Sequence, residues 1–177
     1  MSTASVLKYG ESILRRKTKK VTDFSNLDSL VLLMFQTMKD EKGIGLAANQ
    51  IGYDLSLLVV DINDLEENID SKPMVIVNPL ILKTEGEIEI EEGCLSIPNI
   101  RAKVKRPEII TLKYQDINKK EHIDDYSGML SRVIQHEVDH LNGKYFTDYL
   151  STAKRTLLKK QLTEISKTGN LRTEVTL

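Results

Sequence analysis

The 177-residue chain has one cysteine, Cys94, so no disulfide can form within it, and a reducing, cytoplasmic setting is the expectation. It also lacks an excess of charge. Its 25 basic and 26 acidic residues leave a formal net charge of -1, which excludes a global field drawing it to DNA or to a membrane. No run approaches the roughly 18 apolar residues of a spanning helix. The opening, MSTASVLKYGESILRR, holds no apolar stretch of signal-peptide length. Internal repeats and low-complexity tracts are missing too. What remains is 40% hydrophobic and 29% charged, as in a soluble globular protein. The length suits one domain over residues 1–177, and nothing demands more than a monomer.

Apolar spacing sketches the architecture. In residues 25–42, Leu27, Leu30, Val31, Met34 and Met38 share one helical face. Ser25 or Asn26 is placed to cap that helix and Gly43 to stop it. Residues 55–62 and 74–77 are short apolar β-rich runs, 87–91 alternate around Ile88 and Ile90, and 108–114 also read as strand. The polar segment 64–72, followed by Pro73, reads as a loop. Residues 128–141 and 152–167 read as helices. Strands in the middle with helices before and after them predict an α+β fold with mostly antiparallel sheet.

The one charge anomaly is the tail, 151–177. Lys154, Arg155, Lys159, Lys160, Lys167 and Arg172 face only Glu164 and Glu174 there. Either this is the solvated side of a helix whose Leu158, Leu162 and Ile165 pack inward, or it contacts an anionic partner such as ribosomal RNA.

Residues 136–140 read His-Glu-Val-Asp-His. Positions i and i+4 share a helix face, so both imidazoles can reach one ion, and Glu137 can reach a water on it. A Lewis acid, a water and a carboxylate are the parts of metal-assisted hydrolysis. A helix that merely contains this pentapeptide is the alternative. A catalytic site of this kind needs a third protein ligand and an open position. The extended HExxHxxGxxH pattern fails, because Phe146 stands where the third histidine belongs. Glu164 is available but has no supporting pattern. Cys94, within EEGCLSIP, is the remaining source, since a thiolate binds late first-row divalent ions strongly; a buried inert thiol is its other reading. His122, in the charged run NKKEHIDD, reads as exposed and without a role.

Three segments in order resemble the peptide deformylases: GIGLAANQ at 43–50, EGCLS at 92–96 and QHEVDHLNG at 135–143, followed by KYFTDYL. The opening VLKYGESILR is also similar, so the likeness spans nearly the whole chain. The resemblance implies antiparallel sheets packed around a central helix that carries HExxH, with a C-terminal helix. It implies that Cys94, His136 and His140 bind one divalent metal, Fe(II) in the cell, with Zn(II) or Ni(II) able to occupy the site. A water on the metal would attack the formyl carbon of an N-formylmethionyl nascent peptide, releasing formate, with Glu137 as general base and then acid. Gln50 and the backbone N–H of Leu95 would donate to the oxyanion. Donors of this type are each worth about 3–4 kcal/mol.

The resemblance further implies an extended peptide added to an active-site strand, with a pocket for the methionine side chain. Ile44, Met129 and Val133 would line it. Gly43 and Gly45 would allow a tight turn and close approach of the ligand. Arg101 would meet the peptide's far end. Arg132 stands where an apolar residue is expected, and a place at the pocket rim with its head in water is the expectation. Ser131 stands where alanine is usual. Asp139, facing away from the two histidines, is read as structural and as a partner of Arg106, and Glu92 as an anchor of the metal loop. Two other functions fit parts of the sequence: a zincin-type peptidase, which the missing third histidine and EGCLS oppose, and a non-catalytic protein, which the intact Glu137 and Gln50 oppose.

Overall fold

A computed structural model of the protein describes residues 3–65 and 71–168. Helix α1 is Leu27–Asp40, and it buries Leu27, Val31, Met34 and Met38 on the face its spacing predicts. Asn26 precedes it without a side-chain cap, and Ser25 is turned to Asp23 instead. The helix ends by a left-handed Lys42 (φ 57°), ahead of Gly43. Helices α2 (Gly128–Leu141) and α3 (Thr152–Lys167) have the expected bounds. Seven strands lie among the described residues: β1 Gly45–Ala47, β2 Leu57–Val60, β3 Met74–Glu85, β4 Ile88–Cys94, β5 Ile97–Arg106, β6 Ile109–Gln115 and β7 Glu121–Tyr126.

The strands pair antiparallel in two sheets, ordered β1-β2-β3-β6-β7 and β4-β5. This is the α+β arrangement expected. Two of the strands carry no strong signal of their own. β7 has only Ile123 and Tyr126 among polar residues and gains its shape by pairing with β6. β5 alternates, but lysines and arginines fill most of its outward positions. His122, on β7, is not without contacts: its ring lies 2.8 Å from Asp116 and stacks on Tyr114. Of the polar segment 64–72, residues 66–70 lie outside the described residues.

α2 is the central element. Val133, Ile134, Val138 and Leu141 pack against Leu58, Val60, Ile76, Ile110 and Leu112 of the larger sheet. A second cluster joins α1 to β1 and β2, and a third brings Leu162 of α3, with Leu158 and Ile165 beside it, against Ile97, Val104 and Phe146. The apolar side of α3 is therefore seated, and its lysines and Arg155 are exposed. No helix among the described residues is long and apolar enough to cross a membrane.

α2 ends in a defined stop. The Gly143 N–H donates to the His140 carbonyl and the Lys144 N–H to that of Asp139, with Gly143 left-handed at φ +72°. This is a Schellman closure. A Cβ there would stand 2.6 Å from the Arg15 carbonyl oxygen. Gly143→Ala should therefore cost about 2 kcal/mol or more, read as a lowered midpoint in denaturant unfolding with the m-value unchanged.

Candidate metal centre and cleft

Three side chains converge where α2 meets the tip of the β4–β5 hairpin. One helical turn places His136 and His140 on the same face, with their Nε2 atoms 3.3 Å apart. β4 ends at Cys94, whose Sγ is 3.1 Å from His140 Nε2. The three donor atoms all lie within 4.8 Å of one another. Burial alone would push the thiol up, but the adjoining imidazoles of His140 and His136 hold it well below the usual cysteine value. Burial likewise works against a charged His136, while Cys94 and Glu92 raise it well above the ordinary histidine value. The two imidazoles therefore favour the thiolate form of the sulfur. A divalent cation replaces that arrangement naturally, displacing the imidazole proton. One thiolate and two imidazoles suit a late first-row ion with room left for a further ligand, so the residues present fit the group.

The surrounding bonds fix the donors. His136 Nδ1 is 2.9 Å from Glu92 Oε2, which leaves Nε2 for the ion. Glu92 is in turn gripped by two arginines. Arg106 donates through Nε at 2.6 Å and Nη2 at 3.0 Å, and Arg132 through Nη1 at 2.8 Å. Burial would push the Glu92 carboxyl up, but His136 and Arg106 hold it far below the usual carboxylate range. Arg106 also donates to Asp139 at 2.6 Å, the pairing expected from the sequence, and the Tyr149 hydroxyl donates to the same carboxylate at 3.0 Å. Arg132 departs from expectation. It is 4% exposed, not at the rim in water, and also donates to the carbonyls of Val104 and Ile88. A buried guanidinium needs this many acceptors, and Glu92 with the two strand carbonyls supplies them. Ser131 is fully buried and accepts from Gln135.

Glu137 lies beside the donors, 4% exposed, with Oε2 buried and unpartnered among the described residues. Burial raises its pKa above the ordinary glutamate value, against the pull of His136 and His140. The reason for Gly45 is now plain: a Cβ there would stand 2.6 Å from Glu137 Oε1 and 2.7 Å from Val133 Cγ1. Gly43 likewise makes room for Leu95, at 2.8 Å. Neither glycine has a positive φ, so both serve close packing of side chains and not an unusual turn. The Gln50 carboxamide is oriented by the Ala47 N–H, which donates to Oε1 at 2.8 Å, and Nε2 donates to Ser96 Oγ at 3.2 Å.

These groups open into a cleft of about 670 Å³ lined by Gly43, Ile44, Gly45, Met129 and Val133, with Arg101 at its edge. Arg101 pairs with Glu91 at 3.1 Å in exposed surroundings. Glu164 is exposed on α3, and His122 is on β7 with Asp116, so neither belongs to the cluster. Sequence reasoning missed Asn49, whose Nδ2 donates to the His140 carbonyl at 2.7 Å and ties residues 48–51 to α2. Its place inside GIGLAANQ was the available signal. It also missed Lys8 and Ser96, although the first lies in VLKYGESILR and the second ends EGCLS.

The chain is similar to known proteins over most of its length. The sequence model of the family described as polypeptide deformylase matches residues 3–156. A peptide deformylase of Chlorobium luteolum is 42% identical over 159 residues, 89% of this chain and 84% of the relative. That of Chlorobium phaeovibrioides is 42% identical over 170 residues, covering 96% and 89%. Among solved structures, a peptide deformylase from Thermus thermophilus superposes with a TM-score of 0.87 at 35% identity, covering 95% of this chain and 100% of that one. One from Legionella pneumophila gives 0.83 at 41% identity, covering 92% and 95%.

Glu92 offers a test of the metal centre. Glu92→Ala strands Arg132 and half of Arg106 without a carboxylate and frees the His136 ring. Stability should fall by about 3–5 kcal/mol, and metal affinity by roughly 10–100-fold in competition with a chelator.

Proposed function

The chain belongs to the polypeptide deformylase family, and from that premise we propose that it removes the formyl group from the N-terminal methionine of newly made polypeptides, adding water and releasing formate. The observation that carries the reading is the Cys94, His136 and His140 cluster with the buried Glu137 carboxylate beside it, where Cys94, His136 and Glu137 line the cleft. A divalent ion held by Cys94, His136 and His140 would supply Lewis acidity and make water acidic enough to attack a formamide at neutral pH. Fe(II) is the proposed ion in the cell, with Zn(II) or Ni(II) able to take its place.

The chain's own groups do the rest. Glu137 takes the proton released by the attacking water on its carboxylate and delivers it to the amine nitrogen as the C–N bond breaks. Negative charge builds on the formyl oxygen, and Gln50 Nε2 with the backbone N–H of Leu95 donates to it. A neutral amide does this without giving up a proton. The methionine side chain lies against Ile44, Met129 and Val133, with Gly43 and Gly45 lining the cleft beside it. β1 is an edge strand of the larger sheet, and an extended peptide adds along it. Arg101 meets the peptide farther from its N-terminus.

The setting follows the chemistry. A site built on a lone thiolate suits the reducing cytoplasm where nascent chains are made. The protein acts as one catalytic domain and a monomer, with no role on DNA or membranes. The exposed cations of α3, which face away from its seated apolar side, supply a surface for ribosomal RNA near the emerging substrate. A peptidase reading has less support, because the donor set ends in a thiolate and not in a third histidine or a glutamate.

Two measurements test this. Glu137→Ala should lower formate release from a formyl-methionyl peptide by roughly 10²-fold or more, with bound metal per chain unchanged; near-normal turnover refutes the mechanism. A chelator should abolish turnover, and readdition of Fe(II) without oxygen, or of Ni(II), should restore it.

A further inference from the structure

Residues 7–9 lie outside both sheets and all helices, yet they bond in succession to two segments that flank the cleft. The Leu7 N–H donates to the Gln50 carbonyl at 2.7 Å and the Tyr9 N–H to the Ser96 carbonyl at 2.8 Å. Between them the Lys8 ammonium donates to the Leu95 carbonyl at 2.9 Å. The acceptors come from two distant segments, the ends of GIGLAANQ and EGCLS. Across the same gap Gln50 makes a 3.2 Å side-chain bond to Ser96 and a 3.8 Å contact to the Cys94 sulfur.

The hairpin tip has reason to need an outside hold. Cys94 pairs with Ile97, so Leu95 and Ser96 form a two-residue turn, and neither has a positive φ. Two-residue turns that match the twist of a hairpin are types I′ and II′, which require positive φ; other types splay the strands. The pairing is further broken between Glu92 and Cys94. Lys8 and Tyr9 hold the two carbonyls of this tip. The segment is itself held from outside, since a Cβ at Gly10 (φ +107°) would stand 2.7 Å from Ser166 Cβ on α3. Lys8 lines the cleft together with Gln50, Leu95 and Glu137.

We propose that Lys8 is a positioning residue for the oxyanion donors: through the Leu95 carbonyl it fixes the turn that carries the Leu95 N–H relative to Gln50 Nε2. If Lys8 only packs its stem, its ammonium rests on that carbonyl without consequence for rate. The proposal rests on the deformylase roles given above to Gln50 and Leu95. Lys8→Met keeps the stem and removes the donor, and Lys8→Arg restores a donor. Both are assayed beside wild type and Gln50→Ala, all loaded with Ni(II), for formate release from a formyl-methionyl tripeptide.

Misplacing a donor by a fraction of an ångström should lower kcat of Lys8→Met about 10-fold, with KM, bound nickel and melting temperature unchanged. Lys8→Arg should recover most of the rate. In the Gln50→Ala background, Lys8→Met should cost less than about 2-fold more, because the two donors act as a unit. A Lys8→Met enzyme within about 2-fold of wild-type kcat, a loss of rate that tracks lost nickel or a lowered melting temperature, or no recovery in Lys8→Arg overturns the proposal while leaving the deformylase reading intact. A Gln50→Ala enzyme with wild-type kcat instead removes the oxyanion reading, and the proposal with it.

Discussion

One sulfur and two ring nitrogens from separate parts of the chain have to meet within a few ångströms, and most of the fold is arranged around that meeting. The helix gives its two donors at no conformational cost, because four residues apart on α2 is one turn. The sulfur is harder to place. It sits at the end of β4, on a hairpin outside the larger sheet, so its position depends on how that hairpin docks against α2.

The docking is electrostatic where it touches the donors. Glu92 on β4, Arg106 on β5 and Asp139 and Arg132 on α2 form a buried set with equal numbers of carboxylates and guanidiniums. Such ions are costly to take out of water, and an apolar substitute of the same shape often stabilises a protein as well or better. What an apolar substitute lacks is direction. Glu92 Oε2 faces His136 Nδ1 because both its oxygens are already held by guanidinium hydrogens, and this commits the other ring nitrogen to the donor cluster. The ionic set is therefore best understood as a device for registering two elements against each other. Glycine does the same work by its small size, since Gly45 lets β1 approach the Glu137 carboxylate more closely than any side chain would allow.

Much of this was legible in the residues. Both late helices keep the bounds their spacing predicts, because a 14- or 16-residue amphipathic pattern with a stop has few alternatives. The clustering of Cys94 with His136 and His140 was expected because HExxH fixes two positions and EGCLS resembles the cysteine segment of the family. β5 and β7 were not, since strands rich in lysine, arginine and aspartate owe their shape to neighbours and not to their own period. Arg132 was misplaced for a related reason. An arginine in an amphipathic helix looks like a snorkelling surface residue until the carboxylate and carbonyls that receive it are known, and those lie 28 to 44 residues away. The bonds of Lys8 and Asn49 span 87 and 91 residues, so motifs that contain these residues do not reveal their partners.

The most direct measurement of the central claim is X-ray absorption at the zinc edge of the zinc-loaded protein. It should show one sulfur at roughly 2.3 Å, two imidazole nitrogens at roughly 2.0–2.1 Å and one further light atom, with the sulfur shell lost in Cys94→Ser. A shell containing no sulfur, or a sulfur signal that survives that substitution, would contradict it.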